Sequence, residues 1–233
     1  MKRAFLLFLC VVCFVWAQEE GDPGNEAFNA VAELAKENLV MANGKSVKGA
    51  SALANKKYIA LYFSAHWCGP CRAFTPKLVK FRDNCAKKNL PFEVVFVSND
   101  KSKDEMKEYM TGEKMKWPAI PYASPLRDKM SAEFKVNGIP TLILLDGKGN
   151  VVSSNARWDV ALKGNDAYKR WQSPDYKPLT FEDAKKAESK KQESKKEDKK
   201  ATTKKEKETK KTSNKSKEQD KKSSKKKSGK KDK

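Results

Sequence analysis

The chain has 233 residues, 50 of them Lys or Arg and 30 Asp or Glu, for a formal charge of +20. That length gives room for one ordinary domain with extensions. It excludes a large multidomain enzyme, and the composition excludes a polytopic membrane protein, a coiled coil and a disulfide-dense miniprotein.

Met1-Lys2-Arg3 opens the chain, an apolar run follows from Ala4 to Trp16, and Val15-Trp16-Ala17 flanks a cut after Ala17. A basic start and a short apolar stretch describe a secretory signal peptide at residues 1–17. The run has 13 residues, against the roughly 20 needed to span a bilayer. After cleavage no integral membrane span is expected, and the mature chain enters an oxidising compartment. Cleavage also removes Cys10 and Cys13. Cys68, Cys71 and Cys85 remain, an odd number that is no disulfide framework.

Residues 18–24 form a polar leader. From Asn25 to Lys36, Phe28, Val31, Ala32 and Ala35 recur at helical spacing and predict an amphipathic helix. Asn43-Gly44, between Leu39-Val40-Met41 and Ser46-Val47, predicts a hairpin turn. Tyr58–Ser64, Phe92–Ser98 and Thr141–Leu145 are near-continuous apolar, β-branched runs, the pattern of strands covered on both faces. Residues 146–150 read as a turn leading to a short strand at Val151-Val152. Helical patterns run from Cys71 to about Lys88, with Pro76 expected to kink the helix, then over Asp104–Thr111 and Leu126–Phe134. A last helix is expected within Trp158–Trp171. Strands alternating with helices predict an α/β fold with a central mixed β-sheet flanked by helices on both faces.

Ordered content is expected over residues 25–181. From Glu182 to Lys233 there are 23 Lys and 11 acidic residues, a charge of +12 in 52 residues, with no Leu, Ile, Val, Met or aromatic side chain. Such a segment cannot bury enough apolar surface to offset its ordering entropy, so residues 182–233 are expected to be a disordered Lys-rich tail. It reads either as a solvated extension or as a tether to polyanions such as acidic glycans, anionic lipid heads or nucleic acid. Asn214-Lys215-Ser216 is a glycosylation sequon. The terminal Lys-Lys-Asp-Lys is not a retrieval signal of the KDEL type, which favours secretion over residence in the endoplasmic reticulum.

The segment that carries chemistry is Phe63-Ser64-Ala65-His66-Trp67-Cys68-Gly69-Pro70-Cys71-Arg72. It places C-x-x-C between a buried strand and a helix start. Two intervening residues let both sulfurs meet as a disulfide. The helix start supplies N–H groups without intrahelical partners and a positive dipole end, which favour a thiolate. Pro70 lacks an N–H, which costs little in a first turn. Trp67 shields the pair on one side and offers contact area to a substrate. Cys68, nearest the helix end, is the expected attacking thiol. Cys71, deeper in the turn, is the expected resolving one. A zinc site would need two further ligands, and only Cys85 and the lone His66 are on hand. Cys85 lies 14 residues beyond Cys71 on a similar helix face and reads as a buried core thiol. Gly138-Ile139-Pro140-Thr141 precedes the third strand, where a Pro at a strand start is tolerated.

Trp67–Cys71 (WCGPC) and Ile139–Thr141 (IPT), each in its strand context, resemble the thioredoxin superfamily over roughly residues 39–171. Tyr62–Leu78, Phe92–Asp100 and Trp117–Tyr122 are similar to its tryparedoxin and nucleoredoxin branch. The resemblance implies a thioredoxin-like fold and a thiol–disulfide oxidoreductase with Cys68 nucleophilic and Cys71 resolving. It implies a cis Pro140 facing the disulfide, and Ile139 offering backbone groups to an extended substrate. Trp67, Gly69 and Pro70 then support the pair, and Trp67, Ile139 and Pro140 meet the substrate. Gly69 stands where tryparedoxins usually carry a second Pro. Tyr62 stands where bacterial thioredoxins place a buried carboxylate, which leaves the proton acceptor for Cys71 unassigned.

The expected reaction exchanges electrons between the Cys68–Cys71 pair and protein disulfides, with a thiol electron donor and no metal or organic cofactor. Its direction depends on reduction potential and partner. The contrasting expectation is a secreted binding protein on the same scaffold, held to an anionic surface by its tail. The chain is expected to be a monomer.

Overall fold

The computed structural model describes residues 28–190. The signal peptide with Cys10 and Cys13, the polar leader, and the Lys-rich sequence from residue 191 onward, Asn214 included, lie outside the described residues.

The order of elements is α1 (Ala30–Lys36), β1 (Asn38–Val40), β2 (Ser46–Lys48), α2 (Gly49–Leu53), β3 (Tyr58–Ser64) and α3 (Gly69–Lys87). There follow β4 (Phe92–Ser98), α4 (Lys103–Gly112), α5 (Leu126–Glu133), β5 (Thr141–Asp146), β6 (Val151–Ser153), α6 (Arg157–Lys163) and α7 (Ala167–Trp171). The main sheet has four strands in the order β4-β3-β5-β6. β3 pairs parallel with β4 and antiparallel with β5, and β5 pairs antiparallel with β6, so the sheet is mixed.

β3 and β4 are buried along their whole length, which is why both read as unbroken apolar runs. Side chains of a strand alternate between faces. Tyr58, Ala60 and Tyr62 join a core with Phe74, Leu78 and Phe81 of α3 and Trp171 of α7. Ile59, Leu61 and Phe63 join the opposite core with Leu34 of α1, Leu53 of α2 and Met130 of α5. Helices therefore cover both faces, and the α/β class read from the sequence is the observed one.

The predicted hairpin is present: β1 and β2 pair antiparallel, and Gly44 takes φ 80° in the turn. Ala119 bridges it to the sheet, with isolated pairs to Val40 on one side and Phe96 of β4 on the other. On the same edge strand, Glu93 binds Arg82 of α3 through two N–H groups, at 3.0 and 2.9 Å, and also accepts the Val94 N–H.

Local departures from the sequence reading have local causes. α1 begins at Ala30, not Asn25, because the Asn29 side chain caps it by accepting the N–H groups of Val31 and Ala32. Its buried positions are Ala30 and Leu34, while Ala32 is exposed. The short α2 was not expected. It starts at Gly49, where a Cβ would overlap the Leu34 carbonyl oxygen, so only glycine lets α2 approach α1 this closely. α3 runs on through Pro76. The last helical stretch is split into α6 and α7 at Gly164, which has φ 53°.

The expected tail is ordered at its start. Residues 181–190, α8, are helical. Thr180 and Asp183 cap each other: the Thr180 N–H and hydroxyl donate to the Asp183 carboxylate, and the Asp183 N–H returns to the Thr180 hydroxyl. Phe181 packs at a tilt against Trp158, with ring centroids 5.5 Å apart, and Ala184 is buried. These contacts supply the apolar anchorage that composition alone did not show.

Candidate active site

β3 ends at Ser64 and α3 begins at Gly69, so Ala65–Cys68 is a short bridge from sheet to helix. Cys68 is the N-cap of α3, with extended backbone, and its Sγ accepts the Cys71 N–H at 3.2 Å. An N-cap side chain ordinarily offers oxygen to this donor. Here sulfur takes the place, and the same N–H would stabilise negative charge on Cys68 once the pair is reduced. Pro70 lies in the first turn, where its missing N–H is not needed. Cys68 and Cys71 are joined as a disulfide, with Cα atoms 5.2 Å apart. Cys68 is 6 % exposed and Cys71 fully buried, so an incoming group meets Cys68 first.

Distant chain segments complete the site. The Ile139–Pro140 peptide bond is cis. Ile139 is half-buried against Ala65, Cys68 and Cys71, and its carbonyl oxygen lies 3.8 Å from Cys68 Sγ. Trp67 is 56 % exposed beside Cys68, and its indole N–H donates to the Asn99 carbonyl at 3.1 Å. Gly69 and Pro70 are exposed. A Cβ on Gly69 would meet no atom within 4 Å, so space does not require glycine there. The arrangement thus gathers Trp67, Cys68, Cys71 and Ile139 around one disulfide, with Pro140 next to Ile139.

Residues to which sequence reasoning gave no such role hold this bridge. Asp100, buried, accepts the His66 N–H at 2.6 Å and the Ser98 hydroxyl at 2.7 Å. The exposed His66 ring stacks on Tyr109 of α4 with centroids 5.5 Å apart. Behind the disulfide, Tyr62, Ser64, Thr75 and Tyr109 form a buried hydroxyl cluster. Tyr62 is 2.7 Å and Tyr109 2.5 Å from Thr75 Oγ1, and Ser64 is 3.0 Å from each phenol oxygen. Burial, with Tyr109 adding to it, holds the Tyr62 phenol far above its ordinary range, so it stays protonated. The available signals were the two-residue spacing of Tyr62 and Ser64, which puts them on one strand face, and the four-residue spacing of Cys71 and Thr75.

Cys85 is 1 % exposed, and burial pushes its thiol up to about 12 against the opposing pull of Lys88 and Arg82. A neutral thiol is a poor nucleophile. After reduction of the folded protein, iodoacetamide at neutral pH is expected to label Cys68 first and to spare Cys85 until denaturant is added. Mass mapping of the labelled peptides checks this order. The same shift costs stability in alkali. The folded form holds the thiol proton more tightly than the unfolded chain, so stability falls as pH rises from the ordinary thiol value of 9 towards about 12.

The thioredoxin-like family model matches residues 55–151, which contain the disulfide, β3, α3, the cis-proline strand and the start of β6. A thioredoxin of known structure from Wuchereria bancrofti is 44 % identical, with a TM-score of 0.52, over 55 % of this chain and 88 % of that one. This chain belongs to the thioredoxin-like family. Tryparedoxin from Trypanosoma brucei is 32 % identical, with a TM-score of 0.53, over 63 % of this thioredoxin-like chain and 100 % of that protein. Probable nucleoredoxin 1 of Arabidopsis thaliana is 40 % identical over 152 residues, which are 65 % of this chain and 25 % of that one. The thioredoxin-like chain therefore spans about a quarter of the length of this curated relative. Among the described residues, no helix is long and apolar enough to cross a membrane.

Proposed function

We propose that the protein is a thiol–disulfide oxidoreductase that acts on disulfides of other proteins in the secretory pathway or outside the cell. The observation that carries this reading is the Cys68–Cys71 disulfide at the start of α3, with Cys68 Sγ facing the Ile139 carbonyl beside the cis proline. The nucleoredoxin and tryparedoxin relatives support thiol–disulfide chemistry. In the reducing direction, the Cys68 thiolate attacks a substrate disulfide and one substrate sulfur leaves as a thiolate. Cys71 then attacks Cys68, closes the internal disulfide and releases the second substrate thiol. The Cys71 N–H stabilises the attacking thiolate, Trp67 gives apolar contact area, and Ile139 gives backbone groups to an extended peptide.

Titrating the pair against defined glutathione buffers, with thiol trapping, tests the reading. A potential near about −270 mV marks a reductase that needs a dedicated donor. One of about −180 to −120 mV marks an isomerase or oxidase. A pair that does not titrate overturns the proposal.

The 23 Lys residues between Glu182 and Lys233 favour a second, compatible role: electrostatic attachment to a polyanion. Binding to a sulfated-glycan column is expected to fall steeply between low and physiological salt, as screening predicts. It should vanish in a chain ended after residue 190, which keeps α8. Binding that is indifferent to salt, or that survives this truncation, removes the role.

A further inference from the structure

We propose that Thr75 and Tyr109 are positioning residues for the resolving step, holding Cys71 in line with Cys68 when no disulfide joins them. The inference rests on the thiol-exchange reading above and goes beyond it. Neither residue touches the sulfurs in the hydrogen-bond geometry, and neither belongs to the C-x-x-C segment.

The direction of the cluster follows from proton inventory. Thr75 Oγ1 lies 2.9 Å from the Cys71 carbonyl oxygen. A carbonyl oxygen can only accept, so the Thr75 proton points at Cys71. Both phenols near Thr75 Oγ1 are then donors to it, Tyr62 at 2.7 Å and Tyr109 at 2.5 Å. The Ser64 hydroxyl donates to Tyr62, at 3.0 Å. Every hydroxyl proton of the four side chains has an acceptor, and the chain of bonds ends on Cys71. All four residues are 1 % exposed or less, so water does not substitute for a lost partner without rearrangement. The cluster joins β3, α3 and α4, three elements that meet behind the disulfide. No Asp or Glu side chain takes part in these bonds. The cluster therefore fixes geometry and supplies no carboxylate to take the Cys71 proton.

In the resolving step the Cys71 thiolate attacks the Cys68 sulfur of a mixed disulfide. The Cys68–Cys71 bond forms as the bond from Cys68 to the substrate breaks, the electron pair leaves on the substrate sulfur, and the Cys71 proton has gone to solvent. Intramolecular attack depends on alignment of the reacting atoms. The Cys71 carbonyl anchored on Thr75 keeps residue 71 in the first turn of α3 during the interval when both sulfurs are separate.

The test uses the reduced full mature chain and 5,5′-dithiobis(2-nitrobenzoate). Each turnover releases two coloured thiolates: the first reports attack by Cys68, the second resolution by Cys71. Tyr109→Phe keeps the ring on His66 and removes the hydroxyl. Thr75→Val removes the bond to Cys71, and Thr75→Ser keeps it. Loss of one such bond is expected to slow the second release about threefold to tenfold in Tyr109→Phe and Thr75→Val, with the first release unchanged and Thr75→Ser restored. The pH profile of the second release should lose height and keep its inflection, because a geometric constraint and not a proton acceptor is removed. Unchanged second release in both variants overturns the inference. So does equal slowing of both phases, a shifted inflection, or failure of Thr75→Ser to restore the rate. If the wild-type chain itself shows no fast first release, it is the thiol-exchange reading that fails.

Discussion

Cys71→Ser protein, reduced and mixed with insulin, is expected to accumulate as a covalent adduct through Cys68, and Cys68→Ser protein is expected to show no turnover above background. The asymmetry follows from the burial and hydrogen bonding of the two sulfurs. Cys68 is the partly accessible one, and the Cys71 N–H that would stabilise its thiolate remains when Cys71 becomes Ser. The Cys71→Ser protein can therefore make the first attack and cannot complete the second. Cys71 is fully buried, so in Cys68→Ser protein the remaining thiol of the pair does not reach a protein disulfide. Non-reducing electrophoresis followed by peptide mapping reads the adduct, and insulin turbidity reads turnover. Wild-type turnover by the Cys68→Ser protein, or an adduct mapped to Cys85, would remove Cys68 from the nucleophilic role.

The second large effect is on stability. Asp159 of α6 is fully buried and carries a carboxylate. It accepts from Arg170 Nε at 3.3 Å and from the Tyr176 hydroxyl at 2.7 Å, while Arg170 also donates to the Lys177 carbonyl at 3.0 Å. Arg170→Ala leaves a buried carboxylate with one phenol for a partner, and breaking a buried pair from one side costs about 3–5 kcal/mol. Because Arg170 is a third exposed, water enters the vacated space and the expected loss sits at the lower end, about 3 kcal/mol. Tyr176→Phe removes the hydrogen bond to the Asp159 carboxylate, about 1.5–3 kcal/mol. Asp159→Asn, which keeps the shape and removes the charge, should cost less than Arg170→Ala. Urea unfolding of the three variants gives the order. An Arg170→Ala protein as stable as wild type would show that the pair carries no net stabilisation. Residues 159–177 lie beyond the segment matched by the family model, which ends at residue 151, and this network joins α6, α7 and the segment after α7 to one another.

The sequence was most readable where one pattern determines one structure. Tyr58–Ser64 and Phe92–Ser98 are apolar without a break because helices cover both faces, and their limits are the observed strand limits. Asn43-Gly44 marks its turn because the turn needs the positive φ found at Gly44. The C-x-x-C spacing points to the disulfide because the chemistry needs two sulfurs on one helix turn. What stayed hidden depends on distant partners. Tyr62 is legible as the residue at the position of the bacterial carboxylate, but its meeting with Thr75 and Tyr109 exists only after α3 and α4 dock on β3. Asp100 looks like a loop carboxylate until the His66 N–H is placed over it. α8 escaped because its anchorage is a single ring, Phe181, and one small residue, Ala184, in a sequence dominated by charge.

The outer edge of β4 has a consequence for self-association. A strand at the border of a sheet presents alternate N–H groups outward, a template on which a second molecule can add its own strand. In β4 three of those outward donors, at Phe92, Val94 and Phe96, are occupied from within. The Phe92 N–H goes to the Leu90 carbonyl, the Val94 N–H to the Glu93 carboxylate, and the Phe96 N–H to the Pro118 carbonyl. Arg82 holds the Glu93 carboxylate in place for this duty. At the opposite border β6 is three residues long, too short to seed a stable ladder. A second strand adding to β4 along Phe92–Phe96 would have to displace these internal bonds first.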